Sequence, residues 1–294
     1  MSTFLCKNGV RKEYFLTPTF IIEPFLIQFQ LCKEITYYWT IESESDIMVC
    51  DFKVRTYMYR LDSRIRYSET DEEGFLTMTG IINYFQDCST FQSEDCGVGL
   101  EFLKNEHRAW LVSSWRIIAD QYPRLGDRVQ IVTWPYASKG IYGYRNFAIL
   151  DKEGNYLVKA SSVWFMCSTD TLLPVRVREE DVAPYGAEEP PLEMGEAPRK
   201  IALPQTFIQG EPVTINRYHI DTNHHVNNAQ YIEIARQASG MQGRIRELRA
   251  EYKKAAVLGD VMIPRVSAME NGHILSLCST EGKPYAVVWM QYEP

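Results

Sequence analysis

The sequence of 294 residues lacks the patterns that mark several common kinds of site. Its seven cysteines never form a Cys-x-x-Cys pair, which argues against a zinc ribbon or a disulfide framework and fits a reducing cytoplasm. It has no glycine-rich nucleotide motif, because Gly97-Val98-Gly99 has neither a third glycine nor a preceding strand. Acidic residues outnumber basic residues by 38 to 31 and the net charge is -7, so a nucleic-acid partner is not expected.

The sequence also has no stretch that is apolar enough to span a bilayer. Residues 20–31 are interrupted by Glu23 and Pro24 and are shorter than the roughly 20 residues that a spanning helix needs. No clean cleavage site follows them, so they make a poor signal peptide. We therefore expect residues 1–52 to be an extension that is disordered or results from an upstream start site, with Met48 or Met58 as the true first residue.

The remaining composition is that of an ordinary globular protein. Hydrophobic residues make up 45% of the chain and charged residues 23%, which is enough apolar material for a sizeable core. The length allows one large domain or two ordinary ones.

The most informative stretch is Asp221-Thr222-Asn223-His224-His225-Val226-Asn227-Asn228, which brings a carboxylate, an amide and two imidazoles together. If it is extended, Asp221, Asn223 and His225 point to one side and His224 points to the other. A hydrogen-bond acceptor, an amide dipole and a titratable base then converge on one point, which is the equipment for activating a water molecule.

This motif has an earlier echo, in which Glu69-Thr70-Asp71 aligns with Asp221-Thr222-Asn223. Each copy follows a predicted strand and precedes an amphipathic helix, but only the later copy carries the histidine. Self-similarity of this kind predicts a duplicated domain with one working site.

The order of predicted elements repeats as well. Residues 181–206 are rich in proline, glutamate, alanine and glycine, as in a linker. Before the linker, hydrophobic periodicity predicts a strand, a helix that Thr77 or Thr79 caps, and strands at 109–122, 129–137, 142–150 and 156–167. After it come a strand near 207–216, a helix at about 228–239, and strands at 244–252, 261–269, 273–280 and 285–292. A helix against a curved antiparallel sheet, occurring twice, predicts an α+β fold.

These patterns give four expected segments. They are an N-terminal extension at 1–52, a first half at 53–182, a linker at 183–206 and a second half at 207–294.

At this point the sequence resembles the acyl-acyl carrier protein (acyl-ACP) thioesterase family. The residues from Asp221 to Asn228 resemble its Asp-x-Asn-x-His-Val-Asn-Asn signature, and Asn83-Tyr84-Phe85-Gln86-Asp87 and Gly143-Tyr144-Arg145-Asn146-Phe147 resemble its first half. The resemblance runs from about residue 55 to the end. It implies a tandem double hotdog fold, hydrolysis of fatty acyl thioesters on acyl carrier protein, and no metal or organic cofactor.

One departure concerns the strand after the second helix. Plant members of the family have a Glu-Cys pair after a Glu-Tyr-basic-basic segment, whereas here Ala255-Ala256 follows Glu251-Tyr252-Lys253-Lys254. An acidic residue that is proposed to act in those relatives is therefore absent at this position.

The candidate catalytic residues are Asp221, Asn223 and His225. His225 is expected to act as the base, Asn223 to orient the water or the carbonyl, and Asp221 to orient His225 or to act on the water itself. The sequence leaves open whether Asp221 or His225 activates the water. It also leaves open whether the protein forms a homodimer. A metal site at His219, Asp221 and His225 is disfavoured, since no further ligand cluster is visible.

Two further expectations concern substrate binding. Arg244, Arg246, Arg249, Lys253 and Lys254 form the densest basic cluster, which is either a solvated sheet face or a contact for the acidic carrier protein. Ile81, Ile82 and Phe85 are expected to influence acyl-chain length. The alternative functions are acyl-CoA hydrolysis, another hotdog reaction on acyl thioesters, and acyl binding without catalysis.

Overall fold

The computed structural model describes residues 58–186, 189–198 and 200–293, together with three strands nearer the N-terminus. Those strands, β1 (Ile22–Glu23), β2 (Leu26–Gln30) and β3 (Thr36–Trp39), form an antiparallel sheet within a unit that spans Met1–Thr56. The rest of the predicted extension at 1–52 lies outside the described residues.

The second unit, Tyr57–Pro294, contains the predicted second half and the predicted first half except residues 53–56. The elements of the first half are β4 (Tyr59–Arg64), α1 (Met78–Asp95), α2 (Leu100–Asn105), β5 (Arg108–Ala119), β6 (Arg128–Lys139), β7 (Tyr142–Leu150) and β8 (Tyr156–Ser168). A short helix, α3 (Glu179–Val182), follows. The elements of the second half are β9 (Ile208–Gln209), β10 (Val213–Thr214), α4 (Asn228–Ser239), β11 (Ile245–Tyr252), β12 (Val261–Met269), β13 (Gly272–Cys278) and β14 (Pro284–Tyr292).

The strands of this unit form one antiparallel sheet of 11 strands with an internal repeat. The order in the first half is β5-β8-β7-β6-β4, and the order in the second half is β11-β14-β13-β12-β10. The two orders match element by element, and a long helix follows the first strand of each half. The predicted α+β architecture with an internal duplication is therefore confirmed.

The two halves join through β5 and β11, which pair with Ile117 opposite Leu248 and Trp115 opposite Ala250. All four of these side chains are buried in the same hydrophobic core. The core is therefore continuous across the junction.

Helix α1 begins where Thr77 accepts a hydrogen bond from the Gly80 N–H at 3.0 Å. Ile81, Ile82 and Phe85 are fully buried, and the Phe85 ring lies 5.1 Å from that of Phe147. These side chains fill the core beneath the sheet, which is what the apolar spacing of a buried helix face requires.

The segment between the halves crosses the sheet and is bound to it through its backbone. Trp134 donates its indole N–H to the Pro190 carbonyl at 2.9 Å, and Arg116 donates to the Gly195 carbonyl at 2.7 Å. Part of the predicted linker, including Ala187 and Glu188, lies outside the described residues. The domain boundaries themselves stay predictions.

No helix among the described residues is both long and apolar enough to cross a membrane.

Candidate active site

The segment between Ile220 and Val226 is a closed turn, so the condition under which its side chains would alternate, an extended chain, is not met. Ile220 and Val226 face each other as an isolated antiparallel bridge. Between them, the Asp221 N–H donates to the His225 carbonyl at 2.8 Å, and the His224 N–H donates to the Asp221 carbonyl at 3.1 Å. The Asp221 side chain fixes this turn, because its Oδ1 atom accepts the backbone N–H of Asn223 at 2.8 Å. Aspartate commonly closes turns in this way.

The first half contains the same turn. The Asp71 N–H donates to the Phe75 carbonyl at 2.8 Å, and the Gly74 N–H donates to the Asp71 carbonyl at 3.0 Å. Asp71 Oδ1 accepts the N–H groups of Glu73 at 3.0 Å and Phe75 at 2.9 Å. Asp71 therefore corresponds to Asp221, and the predicted alignment of Glu69 with Asp221 is wrong by two residues.

The corrected alignment places Phe75 where the second half has His225, and Gly74 where it has His224. Gly74 has φ 79° and His224 has φ 60°, so both adopt the left-handed conformation that the turn needs. His224 is exposed and does not line the cavity beside the motif. His225 therefore lines the cavity and His224 does not. The shape of the turn causes this difference, and not the alternation of side chains along a strand.

The start of α4 lies directly after the turn. Asn227 caps the helix by accepting the Ala229 N–H at 2.9 Å, and the Gln230 N–H donates to the Asn227 carbonyl. Within the described part of the chain, the backbone N–H of Asn228 has no hydrogen-bond acceptor. A free N–H at the positive end of a helix can stabilise an anion.

A cavity of about 1300 Å³ lies against the turn and is formed by both halves. The second half contributes Asp221, Asn223, His225 and Asn228. The first half contributes the side of α1 that carries Asn83, Gln86 and Asp87, and the apolar side chains Trp110, Leu111 and Trp164. The cavity thus joins polar groups at the turn to apolar surface in the first half.

The side chains of Asn223 and His225 make no hydrogen bond with any other residue that the structure describes. Asn223 is exposed and His225 is half-buried, so both are available to a molecule in the cavity. Asp221 differs from them, because its Oδ1 atom is already engaged by the turn.

His219 lies apart from this group. It is buried, does not line the cavity, and accepts the Asn216 N–H through Nδ1 at 2.9 Å. Burial lowers the pKa of His219. No cluster of three or more potential metal ligands occurs among the described residues.

The predicted basic cluster divides into two groups. Arg244 pairs with Glu73 at 2.6 Å, Arg246 pairs with Asp120 at 3.4 Å, and the Arg249 guanidinium donates to the Pro198 carbonyl. Lys253 and Lys254 are exposed and line the cavity, and Lys253 also pairs with Glu251. The arginines therefore hold parts of the chain together, and the lysines face the cavity.

Two groups near the turn were missed by sequence reasoning. Gln86 accepts a hydrogen bond from the Asn228 side chain at 2.9 Å, which links α1 to the start of α4. Asp87 lines the cavity next to it. The available signal was a row of polar side chains within a helix that is otherwise apolar.

Comparisons with known proteins agree with this architecture. Residues 56–185 match the family described as "Acyl-ACP thioesterase N-terminal domain". A chloroplastic acyl-[acyl-carrier-protein] hydrolase of Cuphea viscosissima is 25% identical over 84% of this chain and 68% of its own length. A chloroplastic palmitoyl-acyl carrier protein thioesterase of Arabidopsis thaliana is 24% identical over 67% of this chain, which spans only 52% of that relative.

Solved structures are similar over most of the second unit. An acyl-ACP thioesterase from Bacteroides thetaiotaomicron has a TM-score of 0.72 and 23% identity, and 81% of this chain covers 98% of it. The 12:0-ACP thioesterase from Umbellularia californica has a TM-score of 0.71 and 19% identity, and 83% of this chain covers all of it. At these identities the likeness concerns the fold, and it confirms the predicted tandem hotdog.

Proposed function

We propose that this chain, which belongs to the acyl-ACP thioesterase family, hydrolyses the thioester of fatty acyl-ACP, releases the free fatty acid and so ends chain elongation. The observation that carries this proposal is that one cavity brings Asn223, His225 and Asn228 together with apolar surface of the other half. Hydrolysis of a thioester of a long apolar acid needs polar groups at the reacting carbonyl and apolar surface along the acyl chain.

In the proposed reaction, a water oxygen attacks the carbonyl carbon while His225 takes one of its protons. The carbonyl oxygen becomes negative and accepts the Asn228 N–H, and Asn223 orients the water or the carbonyl. A donor of this kind contributes about a hundredfold to a thousandfold in rate. The C–S bond then breaks, and the sulfur leaves with a proton as the thiol of the carrier.

The direct test is hydrolysis of a panel of acyl-ACP substrates with chains of eight to eighteen carbons, with the matching acyl-CoA esters in parallel. Preferential hydrolysis of acyl-ACP would support the proposal. Faster hydrolysis of acyl-CoA would favour the alternative of an acyl-CoA thioesterase. Binding of acyl groups without any hydrolysis would contradict both.

Lys253 and Lys254 are proposed to meet the acidic carrier protein where it approaches the cavity. Replacing both by glutamate should raise KM for acyl-ACP about tenfold and weaken its salt dependence, because charges at the rim of an interface act mainly on encounter. The measurement is KM at several salt concentrations, for acyl-ACP and for an uncharged acyl-pantetheine.

The matched control is Lys283→Glu, which reverses an exposed lysine that pairs with Glu281 and does not line the cavity. This variant should behave like the wild type. An equal rise in KM for acyl-ACP and acyl-pantetheine in the double variant would show that the two lysines act on the cavity and not on the carrier.

The apolar lining of the first half is proposed to hold the acyl chain. Trp110 packs over Gly143, where an added Cβ would lie 3.1 Å from the indole ring, and Trp110 is only partly buried. Trp110→Ala should therefore lengthen the cavity and shift the preferred substrate to longer acyl chains. The measurement is kcat/KM across the acyl-ACP panel.

Phe85→Leu is the contrasting variant, because Phe85 lies in the core and not against the cavity. The same placement argues against the expectation that Ile81, Ile82 and Phe85 influence the chain length. The Phe85 variant should lose roughly 1 to 3 kcal/mol of stability and keep its chain-length profile. An unchanged profile in Trp110→Ala would contradict the proposed location of the chain.

A further inference from the structure

The side of α1 that faces the cavity carries a row of polar residues within a helix whose other faces are buried. Asn83, Gln86, Asp87 and Thr90 occupy this side, at the spacing that places residues on one face of a helix. They belong to the first half, whereas the turn with His225 belongs to the second. The cavity therefore receives polar groups from both halves.

A direct contact holds this side of α1 against the second half. The Asn228 side chain donates to Gln86 Oε1 at 2.9 Å. Asn228 is the first residue of α4, and it carries the free backbone N–H described above. Asp87 follows Gln86 in the chain, and both residues line the cavity.

The carboxylate of Asp87 is half-buried, and none of the described residues forms a hydrogen bond or an ion pair with it. Burial raises the pKa of Asp87, and Glu69 raises it further while Arg66 opposes the rise. Glu69 and Arg66 pair with each other at 2.5 Å. A carboxyl group that lines a cavity and has a raised pKa is a candidate for a functional group.

The other carboxylates of the cavity have different surroundings. Glu69 pairs with Arg66, and Glu94 accepts the Leu100 N–H at 2.8 Å. Asp221 closes its turn, and Glu179 is exposed. Asp87 therefore differs from the other carboxylates that line this cavity. It is half-buried and forms no hydrogen bond or ion pair with any described residue.

The strand after α4 does not supply a carboxylate either. The Val226 N–H donates to the Ala256 carbonyl at 2.9 Å, which places the segment after β11 against the turn. Ala255, which lines the cavity, occupies the position where the resemblance leads one to expect an acid. Helix α1, in contrast, contributes Asp87 to the lining of the cavity.

We propose that Asp87 of the first half is the general acid of the site in the second half, an inference that rests on the proposed thioester hydrolysis. Its protonated carboxyl group gives its proton to the departing sulfur as the C–S bond breaks. His225 holds the proton taken from the attacking water and returns it to the Asp87 carboxylate after the products leave. The net reaction consumes one water and yields one carboxylic acid and one thiol.

The test compares two leaving groups in the Asp87→Asn variant. The decanoyl thioester of acyl carrier protein releases an alkyl thiol, which benefits from a proton, whereas the decanoyl thioester of 4-nitrothiophenol releases a much more acidic aromatic thiol. The variant should lose about tenfold to a hundredfold in kcat on the first substrate, within the usual range for a positioned acid or base. On the second substrate it should stay within about threefold of the wild type, and Asp87→Glu should recover part of the loss on the first.

The matched control is Glu233→Gln, which removes a carboxylate from α4 that bonds to Thr79 and does not line the cavity. It should leave both rates unchanged, and thermal melting should show that each variant is folded. Equal losses on both substrates, or no loss on either, would overturn the role of Asp87 and leave the proposed function intact. A wild-type protein that hydrolyses neither thioester would instead overturn the proposed function, and this inference with it.

Discussion

Replacing His225 by alanine should lower kcat for acyl-ACP by about a hundredfold to ten thousandfold, while the protein stays folded. A positioned base contributes a factor of this size, and an imidazole is the side chain that ordinarily titrates near neutral pH. His225 lines the cavity, and its ring makes no hydrogen bond with another described residue, so its removal should not disturb the turn. The measurements are steady-state kinetics and thermal melting.

His224→Ala provides the control, because it removes the same chemical group from the neighbouring position. His224 is exposed and lies outside the cavity. Its variant should keep the wild-type kcat. If His225→Ala retained more than about a tenth of the wild-type kcat, the assignment of His225 as the base would be wrong.

Replacing Asp221 by alanine should lower kcat by about a hundredfold or more, because the turn that presents Asn223 and His225 loses its side-chain acceptor. Asp221→Asn distinguishes the two roles that sequence reasoning left open. The amide oxygen can accept the same backbone N–H groups. If Asp221 acts by shaping the turn, the asparagine variant should keep most of the activity, whereas a catalytic carboxylate would make it as inactive as the alanine variant.

The first half supplies a matched control for this experiment. Asp71 closes the corresponding turn with the same two kinds of hydrogen bond. Asp71→Ala should destabilise the protein as much as Asp221→Ala, by about 1 kcal/mol for each bond lost, but should leave kcat unchanged. Similar losses of activity in both alanine variants would show that Asp221 matters for general stability and not for its own site.

Elements with strong local signals could be predicted from the sequence. Helix α4 was predicted with its observed ends, since Asn227 caps its start and Gly240, with φ 66°, ends it. Strand β7 also agrees with its predicted range. The strand predicted at 207–216 is divided into β9 and β10, because Pro212 lies between them and has no N–H to donate to a neighbouring strand.

The conformation of the motif could not be predicted in the same way. Alternation along a strand was assumed, but the side chain of Asp221 competes for the backbone and closes a turn instead. The role of Asp87 was missed for another reason. A row of polar residues on a helix normally indicates a face in contact with water, and only the packing of α1 beside α4 shows that this face lines a cavity.

The pairing of β5 with β11 limits how the halves can be exchanged between relatives. A half expressed alone would present one of these strands as an uncovered edge with Ile117 or Leu248 on it, which is a template for aggregation. A chimaera made from two family members would have to preserve the register in which Ile117 lies opposite Leu248. A slip of one residue would turn the apolar side chains of one strand to the wrong face of the sheet.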